Sequence, residues 1–138
     1  MTIITNSTQA PAIAVGKTVQ RGFDETLART EKALADEGFG ILTRIDVRAT
    51  LKQKLDVDFP PDQIPDACRP PQAHKALTLV PEVGVMMPCS VVVRQIDEGT
   101  TRVDAMNAAL MAGMFPEADL SEVADEIAER INRTLAAI

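Results

Sequence analysis

Closely spaced prolines between residues 66 and 94 constrain where helices and strands begin and end in the middle of the chain. Pro70 and Pro71 favour the start of a helix, because the N–H that proline lacks has no intrahelical partner in the first turn. Small apolar residues then recur at helical spacing until Pro81, which ends the helix at about residue 80. After a turn at residues 81–84, an apolar run from Val85 into the valines at 91–93 predicts a buried strand.

The spacing of apolar residues, together with residues that favour the ends of helices and strands, predicts the other elements. They indicate a strand at residues 12–20, a helix at 24–37 closed by Gly38, a strand at 39–47, a short helix at 48–55 and a proline-broken loop at 56–62. Residues 97–99 predict a hairpin loop between strands at 89–96 and 100–106. Asp119 and Glu122 have the spacing of a capping box before a long C-terminal helix. The methionine-rich segment 107–115 favours core packing, although a helical turn, a loop or a partner surface would also suit it.

This order of elements predicts a two-layer α+β fold of the form β-α-β(3–4)-α, with a mostly antiparallel sheet covered by helices on one face. Residues 1–11 are expected to be a flexible N-terminal tail, and residues 12–138 a single domain. The uncovered face of the sheet would carry either Val91 and Val93 or Val92 and Ile96. Because these side chains are apolar, we expect that face to be the contact surface of a homodimer.

Composition excludes two classes of partner. The net charge of −6 and the scarcity of aromatic residues, with four Phe and no Trp or Tyr, oppose nucleic-acid binding. No apolar run is long enough to cross a bilayer, and no signal peptide is recognisable, so we expect no membrane association and a cytoplasmic location. In that compartment the two cysteines are expected to be free thiols.

Several spaced motifs resemble a bacterial family known as the domain of unknown function 302. They are Gly38-Phe39-Gly40-Ile41-Leu42-Thr43, Ile45-Asp46-Val47, Ala49-Thr50-Leu51-Lys52, Ala67-Cys68-x-Pro70, Ala73-His74-x-Ala76-Leu77, Pro81-x-x-Gly84 and Pro88-Cys89-x-Val91-Val92-Val93. The resemblance implies a TATA-binding-protein-like β-α-β-β-β-β-α fold, found as dimers and with no agreed activity. Arg69 and Ser90 stand where family members usually have asparagine.

The central segment also holds the candidate functional residues, namely Cys68, Arg69, His74, Pro88 and Cys89. Cys68 precedes a helix N-terminus and adjoins Arg69, and both features favour a thiolate with a lowered pKa. The cysteines and the histidine have no spacing typical of a zinc site, so no metal site is predicted. The alternative interpretation is that both cysteines are apolar packing residues and that the histidine is a partly exposed polar group.

Three functions are compatible with this segment. We expect a homodimer that binds a small molecule in a pocket around these five residues, which supply apolar walls and a few polar groups. The second hypothesis is a thiol- or metal-dependent enzyme that uses Cys68 and His74. The third is a structural protein-interaction module. The sequence identifies no catalytic residue and no cofactor.

Overall fold

The computed structural model describes residues 12–138, so the predicted tail at residues 1–11 lies outside the described residues. The strands are β1 (Ala14–Val19), β2 (Gly40–Asp46), β3 (Asp62–Cys68), β4 (Cys89–Asp97) and β5 (Thr100–Met106). The helices are α1 (Phe23–Asp36), α2 (Val47–Leu55), α3 (Pro70–Leu79), α4 (Ala109–Met114) and α5 (Ser121–Ala136), with a 3₁₀ helix at Pro81–Met86. No helix within residues 12–138 is long and apolar enough to span a membrane.

The strands form one five-stranded sheet in the order β1-β5-β4-β3-β2, and every neighbouring pair is antiparallel. The predicted α+β class is therefore confirmed. Strand alternation places Val91, Val93, Val103 and Ala105 on the covered face, where they are buried together with Leu34 of α1 and Ile127 of α5. The core thus lies between the sheet and these two helices, whose apolar residues recur at helical spacing.

The opposite face of the sheet, here called the open face, carries the alternate residues, which are half-buried or exposed. They include Thr18 of β1, Thr43 and Ile45 of β2, Ile64 and Asp66 of β3, Ser90, Val92 and Arg94 of β4, and Arg102 and Asp104 of β5. Of the two predicted valine sets, Val92 and Ile96 therefore belong to this face, whereas Val91 and Val93 lie in the core.

Three details of the predicted elements are wrong. The loop at 56–62 ends in strand β3, which was missed because it contains Pro65 and the polar residues Asp62, Gln63 and Asp66. The strand predicted from Val85 begins only at Cys89, since Val85 lies in the 3₁₀ helix and is 89% exposed. Leu120, not Asp119, is the N-cap of α5; the Asp119 carboxylate instead accepts from the backbone N–H of Ser121 at 3.2 Å.

Candidate functional site

Both cysteines border one small cavity between the end of the sheet and the helical layer. Its walls, which define the sulfur cavity, are Phe39, Ala67, Cys68, Arg69, Gln72, Ala73, Ala76, Met86, Met87, Pro88, Cys89, Met106, Met111 and Ile127. The cavity volume is about 20 Å³. A space of this size holds one water molecule or one ion, because a single water needs roughly 10–15 Å³.

Strand pairing places the two cysteines at neighbouring positions at the end of β3 and the start of β4. Cys89, the first residue of β4, is directly paired with Ala67, and Cys68 is the next residue of β3 and its last. Pro88 precedes the strand and completes this wall of the cavity. Four of the five residues predicted from the sequence therefore meet here, namely Cys68, Arg69, Pro88 and Cys89.

Arg69 is held by the ends of two helices. Its Nε donates to the carbonyl oxygen of Glu37 at 3.2 Å, at the C-terminus of α1, where a cation is favoured by the helix dipole. Its Nη1 donates to Oε1 of Gln72, which is buried in the first turn of α3. The guanidinium therefore connects α1 to α3 along one wall of the cavity.

The thiols are not activated, which corrects the expected lowered pKa of Cys68. Burial raises the pKa of Cys68 above its ordinary value. Burial also raises the pKa of Cys89 to about 11, and the charge of the nearby Cys68 adds to this effect. An apolar setting disfavours the charged thiolate, and burial is the cause of the raised pKa of Cys68.

His74 lies elsewhere. It is exposed on α3 and lines a separate cavity with Thr78, Leu79 and Glu122, whereas Gln72 and Ala76 form the buried face of that helix. A Cys68–His74 pair is therefore not assembled at the sulfur cavity. Within residues 12–138, no group of three or more histidine, cysteine, aspartate or glutamate side chains is arranged to hold a metal.

The open face carries a larger concavity, which the sequence did not identify as a site. Its walls, which define the open-face groove, are Ile13, Ala14, Met86, Pro88, Ser90, Val92, Asp104, Ala105, Met106, Leu110 and Met114. The groove has a volume of about 410 Å³. Met86, Pro88 and Met106 line both spaces and so form the wall between groove and cavity. The methionine-rich segment 107–115 was the available signal, since α4 supplies Leu110 and Met114.

Polar groups on the open face are fixed by short contacts. The Asp104 carboxylate pairs with Arg102 at 2.8 Å, and both side chains are mostly buried. One oxygen of Asp66 accepts from the Ser90 hydroxyl at 3.0 Å, and the other accepts from Thr43 at 2.9 Å. Ser90 and Asp104 thus present oriented polar atoms to the otherwise apolar groove.

Comparisons with known proteins agree with this architecture. The family described as "Domain of unknown function DUF302" matches residues 15–138. An uncharacterized conserved DUF302 protein from Bacillus stearothermophilus has a similar crystal structure, with 32% sequence identity and a TM-score of 0.81; the match covers 92% of this chain and 98% of that one. No curated protein matches the chain. With both the family match and the structural match spanning nearly the whole described chain, this protein belongs to the DUF302 family.

Proposed function

We propose that this protein is a homodimeric binding protein that holds a small, mainly apolar molecule in the open-face groove. The observation that carries the proposal is the size and lining of this groove. At about 410 Å³ it falls within the range of roughly 300–1,000 Å³ typical of small-molecule sites. Its walls are mostly alanine, valine, leucine and methionine, with Ser90 and Asp104 as the oriented polar groups.

The groove replaces the pocket that the sequence suggested around the cysteines. A void of about 20 Å³ is too small for an organic ligand. Pro88 lines both spaces and is the residue of the sequence-derived set that remains in the proposed site, whereas Cys68 and Cys89 lie behind the groove wall. The ligand would therefore contact side chains of β4, β5 and α4.

A second copy of the chain is the proposed partner of the open face. Ile45, Ile64 and Val92 lie side by side across three adjacent strands, and Ile45 is 44% exposed although it lies on a sheet. Charges of both signs flank this apolar row, with Arg94 of β4 opposite Asp62 of β3 in the strand register. A twofold contact between two such faces can bury the apolar row, pair opposite charges and close the groove from solvent.

A thiol enzyme is less well supported. Nucleophilic catalysis by cysteine needs a thiolate and an adjacent base. Burial raises the pKa of Cys68, and His74 lines a different cavity. The cysteine site therefore lacks both of these requirements.

The groove is tested with the fluorescent apolar anion 8-anilinonaphthalene-1-sulfonate, titrated into the full-length protein. We expect saturable binding of one dye per chain. Ala14→Phe should weaken binding by about tenfold, equivalent to ~1.4 kcal/mol of lost contact, because the ring fills the groove. The matched control is Ala28→Phe, at an exposed position of α1. Equal affinity of the wild type and Ala14→Phe would place the dye elsewhere and remove the support for this site.

A further inference from the structure

The sulfur cavity brings together six of the eight sulfur-containing residues of the chain. The sequence contains two cysteines and six methionines. Both cysteines and four of the methionines, Met86, Met87, Met106 and Met111, line this single cavity. They come from three separate stretches of the chain, at residues 68, 86–89 and 106–111, which the tertiary fold brings together.

From this convergence we infer that the sulfur cavity is a binding site for one soft monovalent metal ion, Cu(I), held by Cys68 and Cys89 with methionine thioethers completing its coordination. Thiolate and thioether are the ligands that Cu(I) prefers among protein side chains. The residues that line the cavity include no carboxylate and no imidazole, which harder cations require.

The size and charge of the cavity also suit a single ion. A volume of about 20 Å³ accommodates one ion without its water shell. Binding releases one proton from each thiol to solvent and leaves a complex of two thiolates and Cu(I), with one net negative charge. The guanidinium of Arg69, which lines the same cavity, supplies the balancing positive charge, and its contacts with Glu37 and Gln72 hold it in place.

An entry path is available from the open-face groove. Met86, Pro88 and Met106 separate the two spaces. Met86 and Met106 are half-buried, and methionine side chains are unbranched and flexible, so they can pass an ion from groove to cavity. The metal site nevertheless stands independently of any ligand in the groove, since Cys68, Cys89 and Met111 line the cavity and not the groove.

The test is transfer of Cu(I) from its coloured bicinchoninate complex to the reduced, full-length protein without oxygen. We expect the wild type to withdraw one Cu(I) per chain. Cys68→Ser and Cys89→Ala should each lower the affinity by more than the ~10–100-fold typical of outer-shell changes, because each removes a ligand. Met111→Leu should lower it by about tenfold, since it removes a weaker ligand at nearly constant volume.

Met114→Leu is the matched control, because Met114 lines the groove but not the cavity, and its Cu(I) affinity should equal that of the wild type. X-ray absorption at the copper edge should show only sulfur neighbours. Circular dichroism of each variant checks the fold, and Cys68→Ser, at a half-buried position, carries the test alone if Cys89→Ala does not fold.

Three outcomes would overturn the inference. In the first, the wild type withdraws no more Cu(I) than the double variant Cys68→Ser/Cys89→Ala. In the second, nitrogen or oxygen neighbours dominate the absorption spectrum. In the third, Met114→Leu weakens binding as much as Met111→Leu does, which would show that exposed thioethers rather than the cavity bind the ion.

Discussion

Cys89 packs against the hydrophobic core at the point where β4 begins. With its pKa raised to about 11, the thiol remains protonated at neutral pH in the folded protein. An unfolded cysteine, by contrast, ionises near pH 8.5. The folded state therefore binds more protons than the unfolded state between these two values. The raised pKa of Cys89 therefore stabilises the folded state fully below about pH 8.5, and this stabilisation is lost as the pH rises towards 11.

We predict that the free energy of unfolding falls between about pH 8.5 and pH 11, with a contribution from Cys89 on the order of 2 kcal/mol. Urea denaturation at several pH values measures this contribution as the difference between the wild type and Cys89→Ala. The difference should shrink as the pH rises, because the variant lacks the Cys89 thiol that ionises in the unfolded wild-type chain. A constant difference between pH 7 and pH 11 would show that burial does not hold this thiol neutral.

Arg69 illustrates how a charge can serve packing instead of catalysis. Its neighbour Cys68 made it a candidate for thiolate stabilisation, yet the guanidinium donates to Glu37 and Gln72. The same Glu37 carbonyl accepts from Arg130 of α5 at 3.1 Å. Two arginines thus satisfy the C-terminal end of α1, where carbonyl oxygens lack helical partners. Sequence adjacency could not reveal this role, since Glu37 lies 32 residues from Arg69 and 93 residues from Arg130 along the chain.

At the level of elements, β1 depends on one glycine. Gly16 pairs with Asp104 of β5, and a Cβ at this position would collide with the Val103 carbonyl oxygen and with the Asp104 carboxylate. The absence of a side chain lets that carboxylate lie across the backbone of β1 while it pairs with Arg102. The pairing of β1 with β5 and the Asp104–Arg102 ion pair therefore both depend on glycine at position 16.

Gly16→Ala is predicted to destabilise the protein by about 1–3 kcal/mol, the usual cost of forcing extra volume into a packed site. Gly113→Ala is the matched control, because a Cβ there meets no atom within 4 Å and alanine favours the helical conformation of α4. Thermal unfolding of both variants measures the contrast. A Gly16→Ala protein as stable as the wild type would mean that β1 can shift away from β5 without cost.

The elements with strong periodicity were predictable, and the exceptions have physical causes. Helices α1 and α5 have clear apolar faces, and the β4–β5 hairpin is marked by Gly99 at a positive φ of 86°. Strand β3 was missed because proline is disfavoured inside a sheet. Here the register pairs Gln63 with Val93 and Asp66 with Ser90 but omits Ile64 and Pro65, so the pairing with β4 is interrupted at the proline and resumes beyond it.

The candidate site was predictable only in part, because some of its residues are distant from each other in sequence. Cys68, Arg69, Pro88 and Cys89 are near each other in sequence, in two short groups that strand pairing joins. Met106 and Met111 arrive from β5 and α4, and their contribution to the cavity depends on the tertiary fold. His74 was included because it is the only histidine, but helix phase turns it away from the buried residues Gln72 and Ala76.

At the scale of the whole molecule, the two faces of the sheet have different environments. Helices α1 and α5 bury one face, and the open face presents Ile45, Ile64 and Val92 in a continuous row. Contiguous apolar surface is typical of interaction sites. Because homo-oligomers are most often twofold dimers, self-association through this row is the arrangement that we propose.

Light scattering at micromolar concentration should therefore give a mass twice the 14.9 kDa of one chain. Val92→Glu should raise the dimer dissociation constant by about 30-fold or more, equivalent to ~2 kcal/mol, because it buries a carboxylate within the apolar row. Leu79→Glu is the matched control, since it places the same charge on a residue of α3 that is 53% exposed and lies on the helical side. A wild-type mass near 14.9 kDa would contradict the dimer, and equal effects of the two substitutions would show that the contact lies outside the open face.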